Sequence, residues 1–147
     1  MQAAQTLPPV GDVFDCDMGN SIDDALALCM LDGLDGKDEV RVVSVSTSKS
    51  NLKSAAFCDA LRLFYSGGFS RVLPTGMADN GRMKEDTPML TVPLSRKGEA
   101  GDPLYKHTIE NLKATAVVPA MIRNALNAQH DGNAVVALTG PATNLAA

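Results

Sequence analysis

The chain has 147 residues and a net charge of -4, with 45% hydrophobic and 20% charged residues. These values are typical of one soluble globular domain, or part of one. The scattered Lys and Arg residues argue against a nucleic-acid-binding surface, and the longest apolar run, residues 25–31, is far too short to span a bilayer. We therefore expect a small-molecule partner.

The termini and the cysteines add few constraints. Residues 1–9 are expected to form a flexible arm, and they lack the basic and apolar segments of a signal peptide. The compartment stays open, either cytoplasmic or exported after removal of a signal. Cys16, Cys29 and Cys58 show no CxxC spacing, so we interpret them as small buried apolar residues and expect neither a disulfide framework nor a zinc site.

The first half of the chain predicts strand, helix, strand, helix. Residues 10–17 are typical of a buried strand, and residues 39–47 are rich in β-branched side chains. A first helix follows the first strand and is expected to end near Gly33. Its proposed apolar face consists of Ile22, Leu26, Cys29 and Met30. A second amphipathic helix is expected from Asn51 onwards, with Leu52, Ala56, Phe57, Ala60, Leu61 and Phe64 on its apolar face.

The second half continues the alternation less clearly. A short strand is expected near residues 71–73, a helix around Pro119, and a last strand within residues 133–140. Residues 74–103 are dense in Gly, Pro and Asp and predict a long loop, either a mobile cover for a substrate or an insertion. Alternating strands and helices predict an α/β fold with a doubly wound, mainly parallel sheet and right-handed crossovers.

Four carboxylates crowd the end of the first strand, in the stretch VFDCDMGNSIDD. Asp15 and Asp17 lie two residues apart and so lean to the same face of the strand, whereas Asp23 and Asp24 open the next helix. In an open α/β sheet the ligand lies outside the carboxyl ends of the strands. The four side chains are therefore expected to converge at a ligand site.

Two interpretations of this acidic cluster are possible. The carboxylates could be solvated, with Asp23 and Asp24 supporting the helix N-terminus by about 0.5 to 1 kcal/mol. Like charges 4 Å apart, however, repel by roughly 4 kcal/mol at an effective dielectric constant near 20. Some of the carboxylates must then be protonated, or a cation must bind among them. Oxygen ligands without nearby His or CxxC favour Ca²⁺ or Mg²⁺ over zinc.

The run VVALTGPATN offers a second source of oxygen ligands. If its strand lies beside the first strand, the backbone carbonyl of Thr139 could bind the same ion. The alternative is a plain turn from strand to helix, with Gly140 and Pro141 selected for backbone geometry.

The acidic stretch resembles the N-terminal signature of the inosine-uridine preferring nucleoside hydrolases, with a turn two residues longer between the second and third aspartates. SVSTSKSN, which ends at Asn51, and VVALTGPATNLA resemble two further segments of this family. The resemblance runs from about residue 10 to the last residue. It implies a Rossmann-like core that hydrolyses the N-glycosidic bond of a ribonucleoside to ribose and free base, with a tightly held Ca²⁺.

The resemblance also implies roles for individual residues. Asp17 would bind the ion and act as general base on the attacking water, Asp24 would be a bidentate ligand, and the carbonyl of Thr139 would be a further ligand. Asp23 would hydrogen-bond a ribose hydroxyl, and Asn51 would contact the ribose. The remaining aspartate, Asp15, would support the cluster from close by.

Family members are longer than this chain, and their last metal-binding Asp and a His implicated in leaving-group activation lie in the C-terminal half. The sequence stops at Ala147, where a helix is expected to open. We therefore expect residues 10–147 to be the N-terminal part of a single domain, with weak or no turnover as an isolated polypeptide. An unfinished sheet also exposes an edge strand, which favours a homo-oligomer.

Two other functions fit parts of the pattern. A strand ending in DxD also opens the haloacid-dehalogenase-like phosphatases, which depend on Mg²⁺, and there Asp15 would be the nucleophile and Asp17 the acid. That family follows DxD with a Gly-Thr or Gly-Val turn, which is missing here. The second alternative is a non-catalytic fragment that binds a nucleoside or ribose.

Overall fold

A computed structural model of the chain describes residues 8–35, 37, 39–66 and 73–147. Residues 1–7 of the expected arm lie outside these ranges. The strands are β1 (Val10–Cys16), β2 (Val40–Thr47), β3 (Thr75–Met77) and β4 (Ala134–Leu138). The helices are α1 (Asp23–Asp35), α2 (Leu52–Tyr65), α3 (Pro88–Ser95) and α4 (Val118–Asn127), with a short 3-10 helix at Leu112–Ala114.

The four strands form one parallel sheet in the order β3-β2-β1-β4, which confirms the predicted α/β fold. The chain first moves from β1 through β2 to β3 and then crosses back to place β4 on the other side of β1. Ligands of open α/β sheets bind where the strand order reverses in this way. The reversal lies between the carboxyl ends of β1 and β4.

Helices cover both faces of the sheet. On one face Phe14 and Cys16 of β1 are fully buried in a cluster with Leu28 of α1 and Cys58 of α2. On the other face Val13 is buried in a cluster with residues of α4. Burying a large apolar side chain contributes roughly 1.5 to 3 kcal/mol, so these clusters fix β1 between two layers of helices.

The pairing of β1 with β2 contains an irregularity. Asp12 lies opposite Val42, but the next residue, Val13, lies opposite Ser44. One extra residue, Val43, is thus inserted in β2, as in a β-bulge. As a result Val42 and Val45 pack in the same cluster although they are three residues apart, whereas Val43 packs against the Val13 cluster on the other face.

The expected apolar face of α1 is wrong. The helix buries Ala25 and Leu28, whereas the side chains of the expected face are largely exposed, at 61% to 63% of their surface. The exposed side chains are Ile22, Leu26 and Met30. The buried residues and the expected face both follow helical spacing, because apolar residues occur around most of α1. The helix also continues past Gly33 to Asp35.

The expectation of a long loop over residues 74–103 is also wrong, because β3 and α3 lie within it. α3 begins with Pro88 and contains Pro93, so the sequence lacks the usual pattern of a helix. Arg71 and Val72 of the expected third strand lie outside the described residues, and the observed β3 starts at Thr75.

β4 forms one edge of the sheet, and Val135 and Leu138 are partly exposed there. An exposed apolar edge is compatible with a homo-oligomer, which stays a prediction. Within the described ranges, none of the helices is both long enough and apolar enough to cross a membrane.

Candidate active site

The turn that joins β1 to α1 is held by hydroxyl groups from other segments. The Ser54 hydroxyl of α2 donates to the Met18 carbonyl at 2.7 Å, and the Thr87 hydroxyl donates to the Gly19 carbonyl at 2.7 Å. Gly19 has φ +106°, and a Cβ there would lie 2.6 Å from the side chain of Leu90. Glycine is therefore required at this position, and the long turn has a defined conformation.

Asp24 lies in the first turn of α1 and is fully buried. The Thr139 hydroxyl donates a 2.5 Å hydrogen bond to its Oδ1, whereas its buried Oδ2 has no hydrogen-bond partner in the described part of the chain. Burial raises the pKa of Asp24 to about 6; the Thr139 hydrogen bond opposes this shift, and the neighbouring Asp17 carboxyl adds to it. Two carboxyl groups thus share one site, and one of their buried oxygens is unused.

The Asp17 carboxylate follows β1 directly and is partly buried. Its Oδ2 accepts a 2.6 Å hydrogen bond from the side-chain amide of Asn20. The Oδ1 of Asn20 in turn accepts a 2.8 Å hydrogen bond from the Lys49 ammonium, which follows β2. Lys49 is fully buried. Neither Asn20 nor Lys49 was predicted as a site residue, since only the fold brings them beside Asp17.

Asp15 lies beneath the site and is fully buried. Its Oδ1 accepts hydrogen bonds from the Ser46 hydroxyl at 2.6 Å and from the Asn144 amide at 2.8 Å. Its backbone carbonyl accepts from the Thr139 amide at 3.0 Å. Burial raises the pKa of Asp15, and the hydrogen bonds from Ser46 and Asn144 act in the opposite direction. This one residue therefore connects β1 to β2 and to the segment that follows β4.

The two partners of Asp15 show only weak signals in the sequence. Ser46 is a polar residue near the end of a strand of β-branched residues, and Asn144 belongs to the GPATN stretch. Neither position identified its partner, because the pairing depends on strand order and register.

The segment after β4 lies against the end of β1. β4 pairs with β1 in parallel, so the strand before Thr139 lies beside the first strand, as a role of Thr139 in ion binding requires. Thr139 contacts Asp24 through its hydroxyl, whereas its backbone carbonyl was expected to be the ligand. A Cβ on Gly140 would lie 2.6 Å from the Asp17 backbone nitrogen and 2.8 Å from the Cys16 carbonyl carbon. The geometric role of Gly140 and the contact of Thr139 with Asp24 thus coexist.

The two expected substrate-binding residues occupy different environments. Asp23 is exposed, and its carboxylate accepts a short hydrogen bond from the Ser21 hydroxyl, which lowers the pKa of Asp23. Asn51 caps α2 by accepting from the Lys53 amide at 2.8 Å. The Asn51 amide group also donates to the carbonyl of Lys84 at 2.9 Å and to Oδ1 of Asp86 at 2.8 Å. Both ends of the Asn51 side chain are thus engaged by the protein.

Across the described ranges, no three His, Cys, Asp or Glu side chains are grouped closely enough to hold a metal ion. The four aspartates therefore do not all converge: Asp15 is bonded beneath the site and Asp23 faces solvent. Asp17, Asp24 and Thr139 remain as one cluster of oxygen donors. With the unpartnered Oδ2 of Asp24, this cluster fits a hard divalent cation that takes its other ligands from water or substrate.

Paired carboxyl groups at the switch point of a doubly wound parallel sheet define an α/β enzyme that acts on a small ligand. The family model of the inosine-uridine preferring nucleoside hydrolases matches residues 13–147, and the chain belongs to this family. The family hydrolyses N-glycosidic bonds, so the substrate is a small nucleoside, as the sequence predicted. The family is metal-dependent in general. A comparison with curated proteins finds no match.

Membership of this family excludes the phosphatase alternative, and the structure gives a physical reason. A nucleophilic Asp15 would have to reach a phosphate group. Its side chain is fully buried, and its Oδ1 is bonded to Ser46 and Asn144.

Proposed function

We propose that this chain binds Ca²⁺ through Asp17, Asp24 and Thr139 and hydrolyses a ribonucleoside to ribose and free base. One observation carries the proposal: the Asp17 and Asp24 carboxyls are neighbours at the switch point, and a buried oxygen of Asp24 has no partner among the described residues. A bound cation would remove the repulsion between the two carboxylates and use the free oxygen.

The donor atoms favour calcium. Asp17, Asp24 and Thr139 supply only oxygen, which hard cations prefer. Ca²⁺ accepts about six to eight oxygens in flexible geometry, whereas Mg²⁺ requires a near-ideal octahedron. The three residues come from a strand end, a helix start and a loop, which suits the more tolerant ion. Its remaining ligands would be water, ribose hydroxyls or other protein oxygens.

When bound, the ion would lower the pKa of a water molecule and orient it with the ribose hydroxyls. The protein supplies the general base: Oδ2 of Asp17 accepts from Asn20, so the other carboxylate oxygen is available to take a proton from the attacking water. Departure of the nucleobase leaves positive charge on the ribose. The negative charges of Asp17 and Asp24 stabilise that charge where it develops.

Asp23 and Asn51 are proposed to hold the ribose. Asp23 is exposed beside the site, so a ribose hydroxyl can replace Ser21 as its hydrogen-bond donor. The amide hydrogens of Asn51 are engaged by Lys84 and Asp86, so donation from Asn51 to a ribose oxygen requires the segment around residues 84–86 to release one of them. Substrate binding is thus expected to move this segment.

The proposal is tested by calcium titration and by base release. Millimolar Ca²⁺ is expected to raise the melting temperature, and the increase should disappear in Asp17→Asn and Asp24→Asn. Base release from inosine or uridine, followed by absorbance at high protein concentration, should fall at least about 100-fold in both variants. Asp131→Asn removes a carboxylate from an exposed turn and serves as the matched control.

The outcomes separate the alternatives. A melting temperature that does not respond to Ca²⁺ would overturn the proposed ion, and a response to Mg²⁺ alone would replace it. Because weak turnover is expected of residues 10–147 alone, base release is followed over long incubations. Stabilisation by ribose with Ca²⁺, with base release no faster than without protein, would support the non-catalytic binding function instead.

A further inference from the structure

Lys49 is a fully buried lysine at the end of β2, beside the acidic site. Its ammonium donates to Oδ1 of Asn20, a neutral amide. An ammonium loses strong hydration when it is buried, and the one acceptor that the described residues offer it, a neutral amide oxygen, does not replace that hydration. An apolar side chain of similar length would avoid this loss. Packing alone therefore does not account for a lysine at this position.

The hydrogen bond from Lys49 fixes the orientation of the Asn20 amide. A lysine ammonium has donors only, so it binds the oxygen end of an amide. Oδ1 of Asn20 must then face Lys49, and its NH₂ group is left to donate to Oδ2 of Asp17 at 2.6 Å. The two hydrogen bonds form a directed chain, from the ammonium through the amide to the carboxylate.

The Lys49 ammonium also influences a second acidic residue, Asp86. Asp86, on the segment that contacts Asn51, has a lowered pKa because it is hydrogen-bonded to Lys53 and Asn51; the positive charges of Lys53 and Lys49 contribute less. Lys49 is thus close enough to influence Asp86 while it contacts the turn that carries Asp17. Its charge lies beside the site without occupying the oxygens of Asp17.

We propose that Lys49 is a positioning residue that acts through Asn20 to hold the Asp17 carboxylate, keeping Oδ2 bonded to protein and the other oxygen available. This inference rests on the proposed function, because it assumes that Asp17 binds the ion. It also explains how the long turn after β1 keeps a defined carboxylate geometry. Partners that orient a metal-binding side chain typically change metal affinity by about 10- to 100-fold.

Calcium affinity of the 147-residue chain, measured by calorimetry, tests the directed chain. Lys49→Met and Asn20→Ala should each weaken binding about tenfold. The double variant should be no weaker than either single variant, since both break one chain. Lys113→Met makes the same substitution at an exposed site and should leave the affinity unchanged.

Charge alone makes the opposite prediction. Removing a cation beside two carboxylates strengthens calcium binding, so tighter binding by Lys49→Met would overturn the positioning role. Additive losses in the double variant would also overturn it. Urea unfolding without calcium checks for a purely structural role: Lys49→Met should be at least as stable as the wild type, and a clear loss of stability would contradict the proposal.

NMR separates this inference from the proposed function. In calcium-free protein, Lys49→Met should shift the side-chain amide signal of Asn20 and the carboxyl carbon signal of Asp17, whereas Lys113→Met should move neither. If the wild type binds no calcium, the proposed function fails. The two NMR signals still decide whether Lys49 orients Asp17, and unchanged signals would overturn it.

Discussion

The two ends of β1 each bury an aspartate, but their surroundings differ. Asp15, near the carboxyl end, lies opposite Ser46 in β2, and it accepts hydrogen bonds from Ser46 and Asn144. Asp12, near the start, lies opposite Val42 and Val135. It is 1% exposed, and its Oδ2, like the Oδ2 of Asp15, has no partner in the described ranges, so the contrast lies in the two hydrogen bonds to Oδ1 of Asp15.

This difference shows that burial alone does not identify a functional carboxylate. Burial raises the pKa of both residues, and that of Asp12 reaches about 6 without an opposing hydrogen bond from the described residues. At the carboxyl end, polar groups from two neighbouring segments converge on Asp15 beneath the site. At the start of the strand the cross-strand neighbours of Asp12 are Val42 and Val135, so a charged Asp12 destabilises the folded state.

The largest expected effect comes from disrupting the carboxyl end with Gly140→Ala. The new methyl group would meet backbone atoms of Cys16 and Asp17, which cannot move aside as a flexible side chain can. We expect a loss of about 3 kcal/mol in the free energy of unfolding, from the upper range for overpacking. Calcium stabilisation should weaken as well, because Thr139 is displaced from Asp24.

Urea unfolding measures this loss, and Gly33→Ala is the control. Gly33 lies within α1, and a Cβ there would meet nothing within 4 Å. That variant should be more stable by about 0.5 to 1 kcal/mol, because alanine favours helix more than glycine does. Equal effects of the two substitutions would contradict the close approach at Gly140.

The next effect is expected from Asp15→Ala, which leaves the Ser46 hydroxyl and the Asn144 amide without their acceptor. Each unsatisfied buried group costs about 1 to 3 kcal/mol, so we expect a loss of about 2 kcal/mol after partial relaxation. Asp15→Asn keeps an acceptor oxygen and should lose less. Urea denaturation at pH 7 compares the two variants; equal losses would indicate that the hydrogen bonds to Asp15 contribute little.

A smaller effect of opposite sign is expected at the start of the strand, where Asp12→Asn should stabilise the protein by about 1 kcal/mol at pH 7, since a neutral amide replaces a buried charge. The folded-state pKa of Asp12, about 6, lies above its usual 3.8. Between these values the folded state holds a proton that the unfolded state releases. Stability therefore falls as pH rises through this window and levels off above it.

Thermal unfolding from pH 4 to pH 8 checks the sign. Asp24 and Asp32 also have pKa values raised to about 6, so the informative quantity is the difference between variant and wild type. The advantage of Asp12→Asn should be small near pH 4 and largest at pH 7. An advantage that does not change with pH would rule out the charge of Asp12 as its cause.

The smallest expected effect is the coupling between the two ends. Asp12 and Asp15 point to opposite faces of β1 and share no hydrogen-bond partner among the described residues. In the double variant Asp12→Asn/Asp15→Asn, the two changes in unfolding free energy should add to within about 0.5 kcal/mol. A larger coupling, measured by urea denaturation, would show that the two ends of the strand are not independent.

The sequence predicted the fold better than the packing. The alternation of strands and helices predicted the parallel sheet, because the spacing of apolar residues in each strand and helix depends on the local sequence. Which side of α1 faces the sheet could not be predicted, since apolar residues occur on both sides of the helix. α3 was missed because Pro93 lies inside it.

The same limit applies to the candidate site. The neighbourhood of Asp17, Asp24 and Thr139 could be anticipated, because the carboxyl ends of adjacent parallel strands meet at one edge. The partners of the aspartates could not be anticipated, because Lys49 and Asn144 are distant in sequence from Asp17 and Asp15. Their contacts depend on register and on turns after the strands, which local patterns do not encode.

The extra residue in β2 has a consequence for evolution by insertion and deletion. Val42 and Ser44 already lie opposite the successive residues Asp12 and Val13, so loss of Val43 would restore regular alternation in β2. Val45 would stay in the cluster with Phe14, and Ser46 would stay opposite Asp15. A single-codon deletion at this position would thus keep the Ser46 hydroxyl on Asp15, whereas a deletion in the regular pairing of β1 would turn the residues that follow it to the opposite face.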